Sequence, residues 1–138
     1  MASQLKVDTL TGVTTAGSIV VTGEGNSTTT NLQQGLLKVW VNFDGSASGA
    51  ASRDSLNVSG MTDNGTGDYV VSISNDMANA NYSCTGSTGD FDGVSNDYTI
   101  VYIGTHATGS VRCLMANAGA SSNVDRDVYN IQISGDLA

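Results

Sequence analysis

From Lys38 onward the chain is cut into short segments in which apolar and polar residues alternate, and this cadence constrains the fold more than any other feature. Seven segments recur: KVWVNF (38–43), SLNVSG (55–60), DYVVSIS (68–74), NYSCT (81–85), YTIVYIG (98–104), SVRCLMAN (110–117) and DVYNIQI (127–133). Gly, Asn and Asp clusters separate them at the spacing of a sandwich or small barrel. A period of two puts Val39, Val41 and Phe43 on one face of their strand, and does the same for Tyr69, Val71 and Ile73 and for Tyr129, Ile131 and Ile133. Helix is disfavoured throughout, because one Glu and two Lys leave few helix formers while Val outnumbers Leu. The expected fold is all-β: an antiparallel β-sandwich, jelly-roll-like or a small barrel, with a hairpin turn at Asn64-Gly65.

Composition limits how such a fold closes. Leu, Ile, Val and Phe make up 30 of 138 residues, whereas Gly, Ser, Thr and Asn make up 61. A thick private core is excluded, and completion by self-association is expected. Proline is absent, which removes one common means of blunting exposed strand edges. A net charge of −8 argues against nucleic acid as a partner, since phosphate backbones are gripped by Lys and Arg. No apolar run approaches the roughly 18 residues of a membrane span, and Asp8 stands where a signal peptide would need its apolar stretch. Neither membrane association nor Sec-type export is expected.

The first 35 residues differ from the rest. QLKVDTLTGV and GSIVVTG are short β-like pieces, EGNSTTTN (24–31) reads as linker, and NLQQGLL has room for one helical turn before Gly35. Leu5, Val7, Leu10, Val13, Ile19 and Val21 are too few to fold alone, and an arm carrying such side chains docks on something. The expected organisation is a docking arm over 1–35 and a β-sandwich head over 36–138.

Chemistry has few carriers. His106 is the only histidine, so any nucleophile–histidine scheme depends on that ring, and Cys84 and Cys113 sit in apolar strand contexts suited to buried thiols. Asp90-Phe91-Asp92-Gly93 with Asn96 and Asp97 has calcium-loop character, but Val101 stands where an EF-hand needs its bidentate Glu. Arg53-Asp54 and Asp125-Arg126-Asp127 read as exposed ion pairs. No catalytic residue, metal site or cofactor is expected. Trp40, the only tryptophan, lies opposite the Val39, Val41 and Phe43 face with Lys38 and Asn42. It is either a packing contact between sheets or subunits, or a stacking platform for sugar.

The strings KVWVNFDGS (38–46), RDSLNVSGMTDNGTGDYVVSIS (53–74) and MANANYSC (77–84) together resemble a module of tail-fibre-type and other virion structural proteins of marine tailed bacteriophages. The opening LKVDTLTG also resembles leader segments placed before such modules. The resemblance covers residues 36–84 closely and the remainder only in β-rich character, and it carries over no catalytic residue. It implies a homotrimer located in the virion, assembled in the host cytoplasm, with phage capsid or tail proteins as partners. The expected function is a non-enzymatic structural appendage docked through Leu5, Val7, Leu10, Val13, Ile19, Val21 and Trp40. The alternative is a host-glycan or receptor-binding module of a phage tail, with Trp40 or the tyrosines as stacking surface and Asp/Asn loops as hydrogen-bond partners, no individual glycan-binding residue being assigned.

Overall fold

The computed structural model describes residues 4–13, 18–23, 25, 27–90, 99–118 and 122–138. The chain divides into two units, 1–36 and 37–138.

In the first unit, β1 (Val20–Thr22) and β2 (Thr29–Asn31) pair antiparallel, with Val21 opposite Thr30. The segment that reads as linker in the sequence thus contributes a strand, because backbone pairing needs no apolar side chain. A four-residue turn of helix, α1 (Leu32–Gly35), follows, and its N-cap Asn31 accepts the Gln34 N–H on its side-chain oxygen. Residues 4–13 contain no strand or helix.

Among the described residues the second unit holds eight strands: β3 (Leu37–Asp44), β4 (Ala51–Leu56), β5 (Val58–Asp63), β6 (Asp68–Ile73), β7 (Ser83–Gly89), β8 (Thr99–Ala107), β9 (Ser110–Asn117) and β10 (Val128–Ser134). They form two four-stranded sheets, ordered β4-β3-β10-β7 and β5-β6-β9-β8. Every pairing is antiparallel. Of the expected alternatives this is a sandwich, since the sheets do not close into a barrel. Among the described residues fifteen buried apolar ones form a cluster to which both sheets contribute, including all nine side chains expected from the alternation. The scarcity of Leu and Ile is met by Tyr69, Tyr129, Tyr82, Met77 and Met115. Phe43, Tyr69 and Tyr129 pack with ring centroids 5.0–5.5 Å apart, a separation favourable to edge-on and tilted aromatic pairs.

The tyrosine hydroxyls inside the sandwich have polar partners. Tyr69 Oη lies 3.0 Å from Gly45 O and donates to the Asp125 carboxylate, which also accepts the Gly67 N–H at 2.7 Å. Tyr129 Oη donates to Val124 O at 2.7 Å. These bonds pin the segment before β10 across one end of the sandwich. Gly45 is required there: a Cβ would meet Tyr129 Cε2 at 2.2 Å and Tyr69 Oη at 2.6 Å.

Two expected elements take a different form. SLNVSG is not one strand. Asn57 adopts φ +59° and ends β4, so that β5 begins one residue later in the other sheet. Its carbonyl accepts Ser74 N, its side-chain oxygen accepts Asn75 N at 2.7 Å, and its Nδ2 donates to Asn75 O at 3.1 Å. A polar residue that tolerates the left-handed region carries the crossover. The β5–β6 hairpin occurs where expected, but positive φ falls on Gly65 (+120°) and Gly67 (+63°), not on Asn64. Asp63 accepts the Gly65 N–H at 2.8 Å and sets that turn.

Candidate functional site

The expected ion pairs rearrange. Arg53 reaches back to Asp44 at 2.8 Å rather than to its neighbour Asp54, whose carboxylate accepts the Ser55 N–H. Hydrogen bonds from the Ser46 hydroxyl and from the Ser46 and Ala47 amides, together with Arg53, hold the Asp44 carboxyl below the usual range. Arg126 is half-buried rather than exposed. It reaches Asp90 at 3.4 Å, Thr99 Oγ1 at 3.2 Å and Asn117 Oδ1 at 3.3 Å, tying the ends of β7, β8 and β9 together. Asp68 takes the Arg112 guanidinium, whose hydrogen bond lowers its pKa.

Of the calcium-like turn, Asp90 pairs with Arg126, and Phe91, Asp92, Gly93, Asn96 and Asp97 lie outside the described residues. Among the described residues no three His, Cys, Asp or Glu side chains are grouped to hold a metal ion. Cys84 and Cys113 are unbridged. Burial pushes their thiols up to about 11 and about 12, so neither offers a thiolate near neutral pH. His106 is half-buried, with its ring centroid 4.9 Å from that of Tyr82, and Tyr82 Oη is itself engaged with Ala107 O and Ser110 O at 3.1 Å.

The side chains assigned to docking are largely left in water. Leu5 is 80% exposed, Val13 90%, and Val7, Leu10 and Val21 52–56%. Ile19 is half-buried, and its carbonyl accepts Leu32 N at 2.9 Å. Leu5, Val7, Leu10 and Val13 have no regular structure, while Val21 lies in β1.

Trp40, in the second unit, is half-buried on the outer face of its sheet, as the alternation requires. Register brings neighbours to it that sequence spacing alone does not reveal. Leu56, Trp40, Gln132 and Thr85 stand abreast across β4, β3, β10 and β7, and Asp54, Asn42, Asn130 and Ser87 form the next row. Asn42 Nδ2 donates to Asn130 Oδ1 at 2.8 Å, and Asn130 Nδ2 to Ser87 Oγ at 3.4 Å. At the β7 end of these rows a shallow cavity of about 140 Å³ is lined by Thr85, Gly86, Ser87, Asn130 and Gln132. The sequence signal is confined to β10, where Asn130 and Gln132 fall between Tyr129, Ile131 and Ile133; pairing β7 with β10 required the fold.

Comparison with protein-family models, with curated proteins and with solved structures gives no match.

Proposed function

We propose that this chain is a non-enzymatic structural protein of a bacteriophage virion: a small surface appendage that docks through its N-terminal arm and self-associates as a homotrimer. The observation that carries this reading is the exposure of Leu5, Val7, Leu10 and Val13, from 55% to 90%, in a segment without regular structure. The 38–84 block, similar to virion modules, points the same way.

The energetics favour a multivalent attachment. Burying four such side chains contributes about 6–12 kcal/mol gross, while ordering ten arm residues costs about 10–20 kcal/mol in backbone entropy. One arm is therefore marginal unless it also forms backbone hydrogen bonds, as an added strand would. Several arms carried by one assembly bind in concert at high effective concentration.

Native mass measurement of the full chain and of a variant lacking residues 1–35, together with electron microscopy of particles, tests the proposal. A trimeric full chain located on particles, and a shortened chain that keeps β-structure but no longer attaches, is the expected result. A full chain that is monomeric at all concentrations and absent from particles overturns it.

A further inference from the structure

We propose that the outer face of the β4-β3-β10-β7 sheet holds a binding site for a neutral pyranoside, centred on the cavity between β7 and β10. The site is independent of the virion role proposed above and gives the glycan reading a location other than the Trp40 ring alone.

The floor is built by Gly86. A Cβ at that position would meet Val101 Cγ1 at 2.6 Å and Ile131 Cδ1 at 2.9 Å, so glycine lets β7 settle against the core while Thr85 and Ser87 rise on either side. The polar wall is oriented in advance. Asn130 commits its oxygen to Asn42 and one amide hydrogen to Ser87, which fixes the direction of its amide. As an acceptor in that bond, Ser87 keeps its own O–H to donate. Gln132, exposed and directly opposite both Trp40 and Thr85, adds a second amide that can donate and accept.

Amides and hydroxyls in adjacent rows suit vicinal sugar hydroxyls, each of which also donates and accepts. Trp40 and Leu56, the latter 47% exposed, continue the Gln132 row with an apolar surface fit for the C–H face of a ring. The charge pattern selects against acidic sugars. None of the five lining residues is ionisable, Lys38 on the Trp40 face is buried, Asp54 lies at the far edge of the face, and the chain carries −8 overall. The volume, about 140 Å³, is below the roughly 300 Å³ at which drug-sized sites begin, so one sugar residue is seated and any further residues run along the rows.

Trp40, as the only tryptophan, is a built-in reporter. The full-length protein is titrated with glucose, galactose, mannose and N-acetylglucosamine, and with glucuronic and sialic acids, following tryptophan emission and ligand NMR. Gln132→Ala and Ser87→Ala are compared with Thr62→Ala on the other sheet, and circular dichroism checks that each variant is folded. The expected result is saturable millimolar binding of at least one neutral sugar, weakened about tenfold by Gln132→Ala and Ser87→Ala for the loss of one hydrogen bond, and unchanged by Thr62→Ala. No saturable response to any neutral sugar, an equal or stronger response to the acidic ones, or Gln132→Ala binding as tightly as the parent overturns the site. Oligomeric state measured on the same samples is a separate readout, so a trimer indifferent to sugars defeats this site and leaves the appendage role standing.

Discussion

At Asn57 a single residue moves the chain from one sheet to the other. A left-handed conformation costs a non-glycine residue about 1–2 kcal/mol, and the bonds to Asn75 offset it. Asn57→Ala keeps the strain and removes the side-chain bonds, so it is expected to lower stability by about 2–3 kcal/mol. Asn57→Gly relieves the strain but not the lost bonds and is expected to cost roughly half as much. Urea unfolding of the two variants separates the contributions. A glycine pair gives a second comparison. Gly45→Ala drives a methyl into Tyr129 and Tyr69 and is expected to cost about 2–4 kcal/mol, whereas Gly60→Ala, whose Cβ meets nothing within 4 Å, is expected to stay within about 1 kcal/mol of the parent. Equal melting temperatures for these two variants would contradict the packing described around the aromatic group.

Strands with large inward side chains were legible, as was the edge strand β8 from YTIVYIG, whereas the polar edge strands β4 and β7 were legible only in part. In β3, β6 and β10 each inward position carries a large apolar side chain, so period and burial coincide at Val39, Val41, Phe43, Tyr69, Val71, Ile73, Tyr129, Ile131 and Ile133. In β4, ASRDSL, no residue is buried and only Ser55 is half-buried, and a strand held by backbone pairing alone leaves no hydrophobic trace. SCTGSTG in β7 is similar: its extent over 83–89 follows from its register with β10. Both are edge strands, and their polarity does in part what proline does elsewhere, discouraging stray pairing. The candidate sugar site was hidden for the same reason. Asn42, Asn130 and Ser87 are far apart in the chain, and only strand order makes them neighbours. At this scale the arm is the element to test: removing residues 1–35 is expected to leave the far-ultraviolet circular dichroism of the sandwich in place, because all fifteen core residues lie between 39 and 133. Loss of that signal would show that the head depends on the arm to fold.

For the molecule as a whole, the buried ionisable groups set an alkaline limit. The thiols of Cys84 and Cys113 remain protonated up to about 11 and about 12 in the fold, whereas unfolded thiols ionise near 8.5. Their contribution is therefore complete below about pH 8.5 and is lost as pH rises through the native values. The phenols of Tyr69 and Tyr129, raised first by burial, act in the same direction. Stability is expected to fall steadily above about pH 9, and thiol-specific reagents at pH 8 are expected to label the native protein far more slowly than the urea-unfolded chain. Rapid labelling of both cysteines in the native state would contradict the closed core. Strand order has a further consequence, for synthesis. The central partner of β3 is β10, and Ile131 sits opposite Val41, so the first strand of the head leaves the ribosome about ninety residues ahead of the one that completes its sheet. Until then Val39, Val41 and Phe43 lack the flank that Tyr129, Ile131 and Ile133 supply, a delay that favours shielding of the nascent polypeptide before the sandwich closes.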